Sequence, residues 1–261
     1  MLARPPWVMR RMSTCLAQRD RKPLLDIIIY SVSFAVVSFL CFAACMYFDK
    51  RLTLAAGVMF AVYIGLDDLA TSLPRLSPIF DPIGGRWNWA GKLYSIALAA
   101  AVILGFRFKA RDIGLTLRQR NVRTSLLAVL VLSVLSCSLG FLFRPDAPGM
   151  ETLAFQLLMP GIAEELAYRG IAPAILLGLF RGKKAPGTTP WVVVLVTALA
   201  FGAWHGLNYS GGSYSFDLLS ASFPFIGGLA YGWLRFHSGS LLLPIAAHGI
   251  GNTVFYLAAV L

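Results

Sequence analysis

The side chains with catalytic potential are few in this sequence, and most of them lie inside apolar segments. The chain has three histidines and 12 acidic residues, of which only three are glutamates. Glu164 and Glu165 stand side by side in an apolar segment, and His205 and His248 lie in two later ones. Ionisable groups are costly in a bilayer, so they usually face a protein interior or a water-filled cavity and mark function. This distribution predicts a functional site in the C-terminal part of the chain.

The spacing of these residues is helical. Glu165 and Arg169 are four residues apart, so they lie on one helical face and can form an ion pair. Glu164 points about 100° away from that face. Three helices therefore each present a short stripe of functional residues: Glu164, Glu165, Tyr168 and Arg169 on the first, Phe201 and His205 on the second, and His248 and Asn252 on the third.

These residue types together are suited to hydrolysis. A carboxylate and an imidazole that share a water molecule can activate it by general-base catalysis. A histidine and an asparagine can donate hydrogen bonds to a developing oxyanion. The set therefore predicts peptide-bond hydrolysis without a serine or cysteine nucleophile. It also permits a zinc site, in which Glu164, His205 and His248 hold the metal and leave one position for water.

The amino-acid composition predicts that these helices lie in a membrane. Of the 261 residues, 57% are apolar and 13% are charged, whereas about a quarter of an average soluble domain is charged. A membrane span needs about 20 mostly apolar residues. We predict an all-α, polytopic transmembrane bundle of about eight hydrophobic helices, from the apolar segments at about 24–48, 52–73, 93–106, 124–143, 152–180, 191–207, 216–236 and 241–261.

The domain organisation follows from the same pattern. Residues 1–23 form a basic tail, and residues 24–261 are predicted to be a single transmembrane domain with its catalytic core at about 150–255. We expect Pro160-Gly161 to divide the fifth segment and to begin a new helix that runs to Phe180, because proline is disfavoured inside helices. The uncharged segment 208–215 is expected to be a loop.

The net charge of +11 is distributed in clusters between apolar segments, as the positive-inside rule describes. This pattern argues against a nucleic-acid partner. The N-terminus and the basic stretches 107–123 and 181–184 are predicted to be cytoplasmic. Three spans before residue 107 would contradict this orientation, so one early segment is expected not to cross. The second segment and the short third segment are both candidates. We expect Asp67 and Asp68, in the second segment, to be solvated carboxylates at the interface.

Three short motifs occur in order along the apolar segments: Glu164-Glu165-Leu-Ala-Tyr-Arg169, Phe201-Gly-Ala-Trp-His205 and His248-Gly-Ile-Gly-Asn252. Over about residues 150–255 the chain thereby resembles the CPBP family, also called the Abi family. This family contains the CAAX prenyl proteases, such as the Ras- and a-factor-converting endopeptidase, and bacteriocin-processing proteins. The resemblance implies an intramembrane endopeptidase that acts on a membrane-associated protein or on a lipidated or leader peptide.

The resemblance also implies a role for each motif residue. Glu164 with His205 would activate water, Glu165 with Arg169 would support them, and His248 with Asn252 would stabilise the oxyanion. Apart from the resemblance, we expect Phe201 and Tyr168 to be supporting residues, with Phe201 packing so as to orient His205. We expect no cofactor, because no HExxH motif occurs and an asparagine suits an oxyanion hole better than a metal shell. Zinc is retained as the alternative.

Two other function classes remain open on the sequence alone. The chain would be a non-enzymatic membrane scaffold or immunity protein if the same fold were used without catalysis. A proton-coupled transporter is disfavoured, because no internal repeat joins the two halves. The expected partners are membrane lipids and a membrane-associated substrate. The expected location is the cell (inner) membrane, if the source is bacterial, with a multi-pass chain and a cytoplasmic N-terminus.

Overall fold

The computed structural model describes residues 23–183 and 189–261. The predicted basic tail therefore lies outside the described residues, apart from its last residue, Pro23. Lys184, at the end of the third basic stretch, lies outside them as well.

Within the described ranges the chain forms ten α-helices and one small hairpin. The helices α1 to α10 are, in order, Leu24–Met46, Leu54–Ser72, Trp89–Gly105, Ala110–Ile113, Val122–Phe143, Met150–Glu165, Ala172–Leu176, Trp191–Gly206, Leu218–Ser238 and Leu242–Leu257. The strands β1 and β2 are Leu207–Ser210 and Ser213–Phe216. Helices α4 and α7 are short, and the other eight correspond to the eight predicted apolar segments. The all-α helical bundle is thus confirmed.

Three of these helices are long and apolar enough to cross a membrane: α1, α5 and the helical run from Leu54 to Arg75 that contains α2. Helix α5 packs against α10, but few of its residues are fully buried by the rest of the chain. Its exposed residues include Leu126, Leu130 and Val134. In water such a face would be a large apolar patch, whereas lipid covers it at no cost. The second segment, which contains α2, is also long enough to span a membrane. Which of the early segments does not cross remains a prediction.

The chain that carries the first motif is the most deeply buried part of the molecule. Nearly every residue from 159 to 179 is buried. Helix α6 packs against α3 and α10, and α7 packs against α2 and α8. Helix α8 in turn packs against α1 and α9. The remaining helices thus form a shell around the segment that begins at Met159.

The break in the fifth segment lies later than the sequence predicted. Helix α6 continues through Pro160 and ends at Glu165, and residues Leu166–Ile171 form a π-helical turn before α7 begins. The prediction of a helix starting at Pro160 is therefore wrong. Proline removes one backbone hydrogen bond, but the buried position of Pro160 keeps the helix continuous by packing. A π turn often marks a functional site, and here it follows directly on the paired glutamates.

Glycines let α6 and α10 approach each other closely. A Cβ atom at Gly161 would lie 2.8 Å from the backbone oxygen of Ile245 in α10. A Cβ atom at Gly249 would collide with the backbone oxygen of Leu157 in α6. Because His248 precedes Gly249, this close crossing brings the third motif against the first.

The segment expected to be a loop contains a hairpin. Strands β1 and β2 are antiparallel, and the register pairs Ser210 with Ser213 across a two-residue turn. Gly211 and Gly212 both have positive φ, at 58° and 80°, as such a turn requires. The hairpin begins two residues after His205, so it lies next to the second motif.

The glycine contact between α6 and α10 is testable. Gly249→Ala should force the helices apart and destabilise the protein by about 1–3 kcal/mol, the usual cost of overpacking. Thermal unfolding in detergent measures this effect as a lower Tm. Gly105→Ala is the matched control, because a Cβ atom there meets nothing within 4 Å. Equal Tm values for the two variants would contradict the close crossing.

Candidate active site

The Glu165 carboxylate joins two of the three motifs. Its Oε1 atom accepts a hydrogen bond from Nη1 of Arg169 at 3.0 Å and lies 2.8 Å from Nδ1 of His248. Glu165 has no exposed surface, and Arg169 is 1% exposed. The i,i+4 ion pair predicted from spacing therefore exists as a fully buried contact. Charge-assisted hydrogen bonds of this kind are among the strongest in proteins.

Aromatic rings enclose this ion pair. The guanidinium carbon of Arg169 lies 4.4 Å from the centre of the Phe201 ring and 5.7 Å from that of Tyr231. The Tyr231 ring also stacks on His248, with 5.2 Å between ring centres. Among the described residues, Nε and Nη2 of Arg169 have no hydrogen-bond partner. The cation–π contacts partly compensate for this loss. Phe201 thus contacts Arg169 as well as His205.

Glu164 points to a different set of partners. Its Oε1 atom lies 2.6 Å from Nζ of Lys92, and its Oε2 atom lies 3.8 Å from Nε2 of His248. The two ring nitrogens of His248 therefore face the two glutamates, one in hydrogen-bond contact and one across a gap. Tyr168 is buried one turn below Glu164, and its ring packs edge-on against Phe201 at 4.9 Å.

Lys92 was missed by sequence reasoning, which took the third apolar segment to start at Leu93. The structure places Lys92 in the first turn of α3, with only 8% of its side chain exposed. The sequence did contain one indication that Lys92 pairs with a carboxylate. A lysine in the first turn of an apolar helix opposes the helix dipole, so it needs a carboxylate elsewhere in the fold to offset that cost.

His205 is oriented by its own helix. Its Nδ1 atom lies 2.9 Å from the carbonyl oxygen of Phe201, and its ring packs edge-on against Phe201 and Trp204. A carbonyl oxygen only accepts, so Nδ1 carries the proton and Nε2 of the neutral ring keeps its lone pair. His205 is exposed on the protein surface and interacts electrostatically with Glu164.

Asn252 and His248 share a helix face but do not bond to each other. The Asn252 amide donates a hydrogen bond to Oε1 of Gln156 at 3.0 Å. Gln156 lies two turns before Glu164 on α6 and is buried. Its part in holding Asn252 had no sequence signal, because an isolated glutamine in an apolar helix has no partner at helical spacing. Asn252 keeps a second N–H group for another acceptor.

Asp67 and Asp68 are not solvated, and that expectation was wrong. They are 7% and 4% exposed. Asp67 accepts a hydrogen bond from Ser95, and Asp68 accepts hydrogen bonds from Ser31 and from the Trp204 indole, each at 2.6 Å. The two carboxylates are buried because α2 is packed between α1 and α3, where hydroxyl and indole donors replace water.

The residues of the zinc alternative do not fit a metal ion in this arrangement. Within residues 23–183 and 189–261, no group of three His, Cys, Asp or Glu side chains is placed to hold one. The ammonium group of Lys92 also contacts Oε1 of Glu164, where it would repel a divalent cation.

Comparison with known proteins finds a family match for the C-terminal part of the chain. Residues 147–254 match the family model described as type II CAAX prenyl endopeptidase, Rce1-like. No significant match was found among curated proteins or among solved structures. The matched range contains all three motifs, whereas Lys92, Asp67 and Asp68 lie before it. Together with the apolar helices, the match supports an integral membrane protein in which residues 147–254 match the Rce1-like type II CAAX prenyl endopeptidase domain.

Proposed function

We propose that this protein is a metal-independent intramembrane endopeptidase in which Glu164 and His205 activate the hydrolytic water. The family match supports a CAAX-type intramembrane endopeptidase in general. The observation that carries the finer proposal is the position of His248 between the two glutamates. Its Nδ1 atom is held by Glu165 at 2.8 Å, and its Nε2 atom faces Glu164 across 3.8 Å.

The gap between Glu164 and His248 suits a water molecule. A distance of 3.8 Å is too long for a direct hydrogen bond. A water placed at hydrogen-bond distance from both atoms contacts the carboxylate and the imidazole at once. In such a position it is bound beside the Glu164 carboxylate, which can accept its proton as it attacks a carbonyl carbon.

The proposed reaction then has two steps. Glu164 accepts a proton as the water oxygen bonds to the carbonyl carbon of the substrate. His205, whose Nε2 atom keeps its lone pair, relays this proton from Glu164 to the leaving nitrogen as the C–N bond breaks. The proton removed from water is thereby delivered to the amine, as general acid–base catalysis requires.

The other motif residues stabilise the charge that forms between these steps. The Glu165 carboxylate holds Nδ1 of His248 and so stabilises the imidazolium form, which donates from Nε2 toward the developing oxyanion. Arg169 keeps the Glu165 carboxylate in place. Asn252, fixed by Gln156, offers its second N–H group. Donors fixed in advance cost no reorganisation during the reaction.

The substrate class follows from the site's surroundings. The motifs lie on helices whose outer faces are apolar, so we propose a substrate that is itself held in the membrane, such as a lipidated C-terminal peptide, a leader peptide or the anchored tail of a protein. A prenylated CAAX peptide is the first probe, because the family description names that substrate.

The first prediction concerns the water-activating pair. In purified protein in lipid nanodiscs, Glu164→Gln and His205→Ala should each reduce cleavage of a membrane-tethered peptide by at least about 100-fold, the scale of general acid–base catalysis. A zinc chelator should leave wild-type cleavage unchanged. His237→Ala is the matched histidine control, since His237 lies 3.3 Å from the Thr124 hydroxyl and away from the site.

Three results would change the interpretation. Cleavage that a chelator abolishes and zinc restores would assign a metalloprotease. Normal biological activity of Glu164→Gln in the native host would assign a scaffold. Uptake that depends on a proton gradient would assign a transporter.

The second prediction separates the stability of the ion pair from its role in catalysis. Arg169→Met leaves Glu165 buried without its cation and should destabilise the fold by about 3–5 kcal/mol, the usual cost of breaking a buried pair. Adding Glu165→Leu should recover most of the lost Tm, because no unpaired charge remains. Activity should stay absent in the double variant, since His248 has lost the acceptor at Nδ1. Recovery of activity together with stability would contradict the proposed role of Glu165.

A further inference from the structure

Lys92 brings a fixed positive charge to the catalytic glutamate from outside the matched family domain. We propose that Lys92 is the resident cation of the site, which positions Glu164 and occupies the place that a metal ion would otherwise take. The proposal rests on the proposed function only in that Glu164 is the water-activating carboxylate. The ammonium group of Lys92 also places a like charge where a divalent cation would approach Glu164.

The burial of Lys92 shows that the contact is specific. Its side chain is 8% exposed and that of Glu164 is 10% exposed, with 2.6 Å between Nζ and Oε1. A buried ammonium group is very unfavourable unless it is paired. A long, flexible side chain also loses much conformational freedom when it is fixed. Lys92 therefore adopts this position because Glu164 compensates for its burial, and it holds one oxygen of Glu164 in place in return.

A second contact fixes the other side of the lysine. Nζ of Lys92 lies 4.9 Å from the centre of the Trp204 ring, within the range of a cation–π interaction. Trp204 donates its indole N–H to Asp68 at 2.6 Å, and Tyr30 donates its hydroxyl to the Trp204 carbonyl at 3.0 Å. Helices α1, α2 and α8 thus all contribute to the position of the ammonium group.

With Lys92 included, two fixed cations stand against the two glutamates of the site. Glu164 and Glu165 supply two negative charges, and Lys92 and Arg169 supply two positive ones. Each glutamate has its own cation: Arg169 contacts Glu165 and Lys92 contacts Glu164. A divalent cation added to this set would meet the ammonium group at the same carboxylate. Removing Lys92 leaves Oε1 of Glu164 without its cation, while Oε2 lies 3.8 Å from Nε2 of His248, and carboxylate and imidazole are both ligands that zinc accepts.

This arrangement has a consequence for the domain. The matched range, residues 147–254, contains all three motifs but lacks the cation that pairs with Glu164. Lys92 comes from α3, and its supports Asp68 and Tyr30 come from α2 and α1. The N-terminal helices are therefore part of the active site as well as part of its membrane scaffold.

The experiment compares zinc binding and peptide cleavage in the full-length protein in nanodiscs. Isothermal titration with zinc alone should show no stoichiometric binding to wild type and new one-to-one binding to Lys92→Met. Adding His248→Ala to Lys92→Met should abolish the new binding. Lys50→Met is the matched control, because Lys50 is exposed in the loop after α1, and it should behave as wild type.

Cleavage supplies the second readout. In the absence of zinc, Lys92→Met should lower kcat by at least about 100-fold, with KM changed by less than about threefold, because Lys92 acts through Glu164 and does not touch the substrate. Lys92→Arg keeps the charge and should retain kcat to within about tenfold. This rescue separates a charge requirement from a packing requirement. Lys92→Gln is the second variant if Lys92→Met does not fold.

Three outcomes would overturn the proposal. The first is wild-type kcat in Lys92→Met. The second is absence of zinc binding in both Lys92→Met and Lys92→Gln. The third is stoichiometric zinc binding by wild type. Failure of the proposed function gives a different result, because it leaves every variant without cleavage while the zinc titration still reports on the position of Lys92.

Discussion

The buried Glu165 carboxylate is the contact on which the rest of the site depends. One oxygen holds both the Arg169 guanidinium and the His248 imidazole, and His248 lies 83 positions after Glu165 in the chain. A carboxylate without exposed surface is stable only if such partners are present. The site therefore forms only when the fold brings α10 against α6, and the glycines at positions 161 and 249 make that approach close enough.

The helical geometry around the glutamates has a direct effect on chemistry. Because Glu164 and Glu165 are adjacent on one helix, their side chains diverge by about 100°. The His248 ring lies between the Glu164 and Glu165 side chains, so each of its ring nitrogens faces a different carboxylate. The π turn that follows positions Arg169 for Glu165 while the chain continues into α7. Adjacent acidic residues, which would repel each other on a surface, thus obtain separate partners and separate roles.

The N-terminal half carries no motif, yet it determines the environment of Glu164. Helices α1 to α3 place two aspartates, one lysine and several hydroxyl donors against α8 and the π turn. Ser31 and Ser95 donate hydrogen bonds to the two aspartates, and Lys92 pairs with Glu164 of α6, as burial requires. This polar layer behind the motifs has the same physical cause as the Glu165 cluster: within an apolar shell, each charge needs a partner from another helix.

The sequence by itself determined the class of the fold and the candidates for the site. The apolar segments predicted the eight longer helices, apart from the break in the fifth segment, because hydrophobicity along a segment is a local property of the chain. Ion pairing of Glu165 with Arg169 was also predictable, since i,i+4 spacing on a helix fixes their proximity. The three motifs, in their order along the chain, were sufficient to indicate the family, because residue types and spacing are written in the sequence itself.

Tertiary structure alone decided the partners that are distant in sequence. Nothing local to Lys92 shows that it reaches Glu164, 72 positions later, or that Asn252 bonds Gln156 rather than His248. Local signals also failed where packing overrode them: Pro160 lies inside a helix, and Asp67 and Asp68 are buried. The physical reason is the same in each case. Propensity and spacing describe one segment, whereas burial and pairing of charges depend on which helices meet, and this is fixed only when the bundle closes.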